Sequence, residues 1–194
     1  MDFKYSYFTR GCSPQLRELI ECLDSSFEPI FEANKIEDDS TPFKTLSQMQ
    51  IDTRPKMDAG LTIATTLGVC FFIASWAGNK ALDECYETYL KPGFKDLVNK
   101  LRRSKTIPTE KSIEFYAVTY FGDLDCAVVI RLTSELVMES EEQNLLIKET
   151  LKSASSYIEQ YGVKGKVHYY HINNGNVNIE PMLRSSIREI QSER

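Results

Sequence analysis

The residues best suited to chemistry are few. The two histidines, His168 and His171, lie in the run VHYYHI. Positions three apart on a strand face opposite sides of a sheet, so the pair cannot hold one metal ion together. The five cysteines are Cys12, Cys22, Cys70, Cys85 and Cys126, widely spaced and without a CxxC pair. That pattern fits reduced thiols, not a disulfide framework or a zinc site. Neither GxGxxG nor GxxxxGK[ST] occurs, which removes the familiar phosphate-cradling loops. No nucleophile elbow or family-type cysteine signature is present. The expectation is therefore no catalytic residue, no cofactor and no metal. A hydrolase assembled in space around His168 or His171, beside a cysteine or a carboxylate, stands as one alternative.

Acidic side chains offer a different chemistry. Asp123 and Asp125 fall in the tight Gly122–Asp125 turn, and Glu139, Glu141 and Glu142 gather where a helix should start. Turn geometry accounts for the first pair and the positive end of a helix dipole for the second group. Taken together, the five acids are the candidate contact surface for a basic protein partner. The whole chain carries 28 acids against 23 bases, a net charge of −5. That balance disfavours unspecific nucleic-acid binding. Residues 59–111 are the basic exception, with 8 bases and 5 acids. There Lys91, Lys95, Lys100, Arg102, Arg103 and Lys105 read as a solvated helix face, or as a strip for phosphates or anionic lipid headgroups.

These residues need a scaffold, and its centre is the stretch Ala59 to Asn79, which carries no charge between Asp58 and Lys80. Read as a helix, it is apolar all round, so it belongs in a globular core or in a bilayer. Thr62, Thr65, Thr66 and Ser75 dilute it, and three glycines weaken it as a helix. The rest of the chain holds strands and amphipathic helices that need a common core. We therefore expect a buried central helix over 59–79, with membrane insertion of the same segment as the alternative. The N-terminus lacks a basic start followed by an apolar run, so it is not a signal peptide. Together with the thiols this sets the expectation of a cytoplasmic protein, or a membrane-associated one if residues 59–79 insert.

Other elements follow from periodicity. Phe3 to Thr9 alternates as a strand. Ser13-Pro14 opens a helix with Leu16, Leu19, Ile20, Leu23 and Phe27 on one face, ended by Pro29. Residues 31–35 and 43–51 read as short strands. Leu82, Cys85, Tyr86, Tyr89 and Leu90 form a helical stripe that Pro92-Gly93 interrupts, and Phe94, Leu97, Val98 and Leu101 form another. Ile113 to Phe121 and Cys126 to Thr133 make a hairpin about the Gly122 turn. A long helix starts at Ser140 and stops at Gly162. Lys166 to Ile172 and Val177 to Glu180 make a second hairpin, and Pro181 starts a C-terminal helix carrying Leu183, Ile187 and Ile190.

Strands and helices mix without regular alternation, which implies an α+β fold with a mostly antiparallel sheet packed on helices. The turn around Pro108 divides an α-rich lobe, 1–104, from a ββαββα lobe, 105–194, with a single compact domain as the other reading. In size, acidity and cysteine usage the chain is similar to small bacterial antitoxin and immunity proteins, a likeness of type that no motif carries. The function expected is a non-enzymatic, acidic protein-binding protein, with an inhibitor of immunity or antitoxin type as its specific form.

Overall fold

A computed structural model describes residues 4–8, 18, 21–22, 25–30, 65–74, 76–104, 112–135, 140–173, 175–186 and 189–190. The strands are β1 (Lys4–Phe8), β2 (Thr65–Ala74), β3 (Ser112–Phe121), β4 (Cys126–Glu135), β5 (Val167–Asn173), β6 (Asn176–Val177) and β7 (Met182–Arg184). Helical residues 25–30, here α1, precede α2 (Asn79–Cys85), a π turn (Tyr86–Leu90), α3 (Lys91–Arg103) and α4 (Ser140–Tyr161).

The fold is α+β, with one mixed, mostly antiparallel sheet in the order β1-β2-β3-β4-β5. Parallel pairing joins β2 to β3 and β4 to β5; β1 with β2 and β3 with β4 are antiparallel. Each parallel pair needs a long crossover, and helices supply it: α2 through α3 for the first, α4 for the second. The sheet runs across residue 104, because β2 pairs with β3 from Thr65↔Ile113 to Ala74↔Phe121.

Alternation along the strands sorts two cores. Phe115, Ala117, Phe121, Val128, Ile130, Leu132, Tyr170 and Ile172 pack with the helices. Tyr116, Val118, Ala127, Val129, Val167 and Tyr169 pack on the other face with Ile190. Period-2 geometry requires this division, and both faces of β3, β4 and β5 are buried.

The helix expected over 59–79 is, at Thr65–Ala74, the strand β2. Thr65, Thr66, Val69, Phe71, Phe72 and Ile73 are β-branched or aromatic, types that suit a pleated surface. A short unbroken apolar run suits a buried strand as well as a buried helix, and periodicity alone cannot separate the two. A membrane-spanning helix over 59–79 would need those same residues. Among the described residues no helix is long and apolar enough to cross a membrane.

Two smaller expectations also change. Pro92-Gly93 does not interrupt the helix; the chain passes from the π turn directly into α3, with Pro92 in its first turn. A π turn shifts the hydrogen-bond ladder, so the donor that proline lacks falls where a new α segment begins. Pro181 starts no helix, since Met182–Arg184 is a strand on β5. Only residues 189–190 of the expected C-terminal helix are helical among those described. The strands expected over 31–35 and 43–51 lie outside the described residues.

The outer edge of β5 is covered in two pieces. β6 pairs at Ile172↔Val177 and Asn173↔Asn176, and β7 pairs from Val167↔Arg184 to Tyr169↔Met182. Residues 178–181 link the pieces and expose Ile179.

Candidate functional site

The expected acidic surface divides into two groups. Asp123 and Asp125 sit in the β3–β4 turn, whereas Glu141 and Glu142 open α4. Between them β4 runs its full 10 residues, roughly 33 Å at about 3.3 Å per residue. The two groups therefore lie at opposite ends of the sheet, and Glu139 lies outside the described residues.

The turn acids have partners within the fold. Both carboxylate oxygens of Asp123 accept the backbone N–H of Trp76 at 2.9 Å. That bond ties the chain just past β2 to the hairpin, and the Trp76 ring meets Phe121 edge-on at 5.0 Å. Asp125 takes a φ of 45°, a left-handed conformation that short polar side chains tolerate. Its carboxylate accepts the Tyr120 hydroxyl at 2.9 Å and lies 3.7 Å from the Lys166 ammonium. Burial and this carboxylate push the Tyr120 phenol up. At the far end, Glu141 stands 3.7 Å from Lys95 and Glu142 is exposed.

The basic strip is laced with acids. Lys91 and Lys148 both bond Glu87, at 2.6 and 2.9 Å, and Lys100 pairs with Asp96 at 2.6 Å. Hydrogen bonds from the two lysines hold the Glu87 carboxyl below its usual range. Exposed pairs of this kind contribute little to stability. Lys105 is outside the described residues.

The Asp123–Asp125 end gathers other groups. α4 runs back from the far end and stops there at Gly162, whose φ of 70° and N–H bond to Ile158 O at 2.9 Å close the helix in the usual left-handed way. Gly78, which opens α2, lies against Glu159 of α4. Beyond Gly162 the turn leads to Lys166, whose carbonyl accepts the Ala127 N–H at 2.8 Å. β7 closes this end, with Leu183 against Gly165. Tyr161, Val163 and Leu183 are 51, 38 and 40% exposed here. The sequence places Leu183 on a C-terminal helix and ends the long helix at Gly162, just past Tyr161. Tyr161 is the last residue of α4, past the point where the helix lies on the sheet, and Leu183 is on an edge strand; proximity to Gly162 was the one available signal for the first.

The histidines occupy opposite faces of β5, as their spacing requires. His171 bonds the Thr133 hydroxyl at 3.0 Å and stacks on Tyr169. His168 is fully buried beneath α4 and accepts the Lys164 N–H at 3.3 Å. Nearby, burial pushes the Cys126 thiol up to about 11 and drives the Tyr170 phenol well above its ordinary value. Such thiols are poor nucleophiles, because the thiolate is the reactive form. Among the described residues no three His, Cys, Asp or Glu side chains are grouped to hold a metal. No protein-family model matches the chain, and no curated protein or solved structure matches it.

Proposed function

We propose that the protein is a non-enzymatic protein-binding module whose contact surface is the end of the sheet around the β3–β4 turn. One observation carries the reading: Tyr161 and Val163 on either side of Gly162, and Leu183 against Gly165, are exposed at the end of the sheet where Lys166 meets Asp125. Interfaces favour an aromatic and aliphatic centre with a polar rim. Asp123 and Asp125 supply that rim and suit a basic partner, as charge complementarity speeds and orients encounter. Glu141 and Glu142, at the far end, take no part in it. An inhibitor of immunity or antitoxin type is the specific form this module takes. Cytoplasmic residence accords with the free thiols Cys22, Cys85 and Cys126.

The test compares affinity capture from the source cell by the wild-type chain and by a Tyr161→Ala/Leu183→Ala variant. Both side chains are exposed, so circular dichroism should show the variant folded. A basic protein retained by the wild type and reduced at least tenfold by the variant is the expected result. Equal recovery with both chains, or none with either, refutes the reading.

A further inference from the structure

The two ring nitrogens of the buried His168 have unequal surroundings. Nε2 accepts the backbone N–H of Lys164 at 3.3 Å. An amide N–H can only donate, so the neutral ring carries its proton on Nδ1. Nδ1 itself has no hydrogen-bond partner among the described residues. Tyr157 of α4 meets the ring edge-on at 5.5 Å, and Tyr161 packs on Tyr157 at 5.0 Å. Across the sheet His168 is flanked by Val128 of β4 and Leu183 of β7.

Among the described residues, the titratable and charged groups around the ring give a positive charge on it no support. α4 brings Tyr157, β5 brings Tyr170, and β4 brings Cys126, which sits close enough to oppose ionisation of Tyr170. The α4–β5 turn brings Lys164 and Lys166, and β7 brings Arg184, next to Leu183. Asp125, at the same end, is engaged by Tyr120 and Lys166. Burial lowers the imidazole pKa from its ordinary 6.5.

We propose that His168 is a pH-sensitive latch on the α4–β5 turn. Protonation at Nε2 sets a proton against the Lys164 N–H, breaks that bond and expels the imidazolium, so the turn from Gly162 to Lys166 opens on acidification. The closed form excludes the added proton, whereas the opened form takes it up near 6.5. Closure is therefore complete above that pH and is lost as the pH falls below it, by up to about tenfold per unit. The exposed Val163 travels with the turn, but the latch does not depend on what that surface binds.

Amide-resolved hydrogen exchange on the whole chain tests this. Between pH 7.5 and 5.5, after correction for intrinsic rates, protection of the Lys164 N–H should fall about tenfold, while core amides of β3 and β4 hold theirs. In His168→Gln the side-chain oxygen accepts the same N–H without titrating, so the fall should vanish; His171→Gln should keep it. Lys164 protection that changes no more than the core, or a full response in His168→Gln, overturns the proposal. Should the glutamine variant fail to fold, the wild-type ring resonances decide: a His168 that protonates at or above 6.5 with Lys164 still protected overturns it.

Discussion

Replacing Gly93 by alanine should destabilise the protein, although helix propensity alone favours the change by about 1 kcal/mol. Gly93 is buried in α3 against the Phe27 ring. A Cβ built there would lie 2.8 Å from Phe27 Cζ and closer still to Cδ1 and Cε1, whereas carbon atoms prefer about 3.5–4.0 Å. The ring has little room to retreat: it is fully buried, stacked on Phe115 at 6.0 Å, with Phe94 packed on the same Phe115 at 5.2 Å. Overpacking costs about 1–3 kcal/mol, and a confined ring places this site near the upper end. After subtracting about 1 kcal/mol for propensity, the net loss is about 2 kcal/mol. For a chain of 194 residues that lowers Tm by roughly 4–8 °C. Urea titration and thermal melting followed by circular dichroism measure both quantities. A Gly93→Ala/Phe27→Leu variant should lose less than the two single changes added together, because the smaller side chain relieves the contact. A gain in stability from Gly93→Ala would refute the packing of α1 against α3.

Three further outcomes follow from the described contacts. Asp123→Ala frees the Trp76 N–H and should cost about 1 kcal/mol, read by urea titration and by altered Trp76 fluorescence; an unchanged midpoint would remove the turn's tie to β2. Tyr86→Phe deletes the buried hydroxyl that donates to Asn144 O at 2.8 Å and should also cost about 1 kcal/mol, with no loss of helix content in the far-ultraviolet spectrum. Cys85 and Cys126 are fully buried, so peptide-level mass spectrometry should find neither alkylated in the native protein at pH 8 and both alkylated in denaturant, with the partly exposed Cys22 reacting before either; early labelling of Cys85 would contradict its place beneath the sheet.

Much of the fold was legible where local chemistry and tertiary environment agree. The β3–β4 hairpin and the 22-residue α4 carry turn, cap and stop signals within themselves. β2 was not legible as a strand, since its partners on both sides are distant in sequence and an unbroken apolar run looks alike in either conformation. The π turn was hidden for a related reason: Pro92 is a break signal, and the ladder shift that accommodates it has no residue signature. Of the candidate surface, Asp123 and Asp125 were placed correctly in a turn, but their separation from Glu141 and Glu142 depends on the length of β4. The roles of Tyr161 and Leu183 depend on where a helix outruns the sheet and where an edge strand ends, and neither is a local property.

The broken cover on β5 has a consequence for self-association. A free sheet border is a template on which any passing chain can zip itself by main-chain bonding. Here two stubs occupy that border, and Pro181, which has no N–H to offer, stands between them beside the outward-bent Ile179. A visiting strand finds no uninterrupted rail, so stacking into fibres from this side is discouraged. Recognition on this flank is left to side chains, which discriminate between visitors in a way that backbone pairing does not.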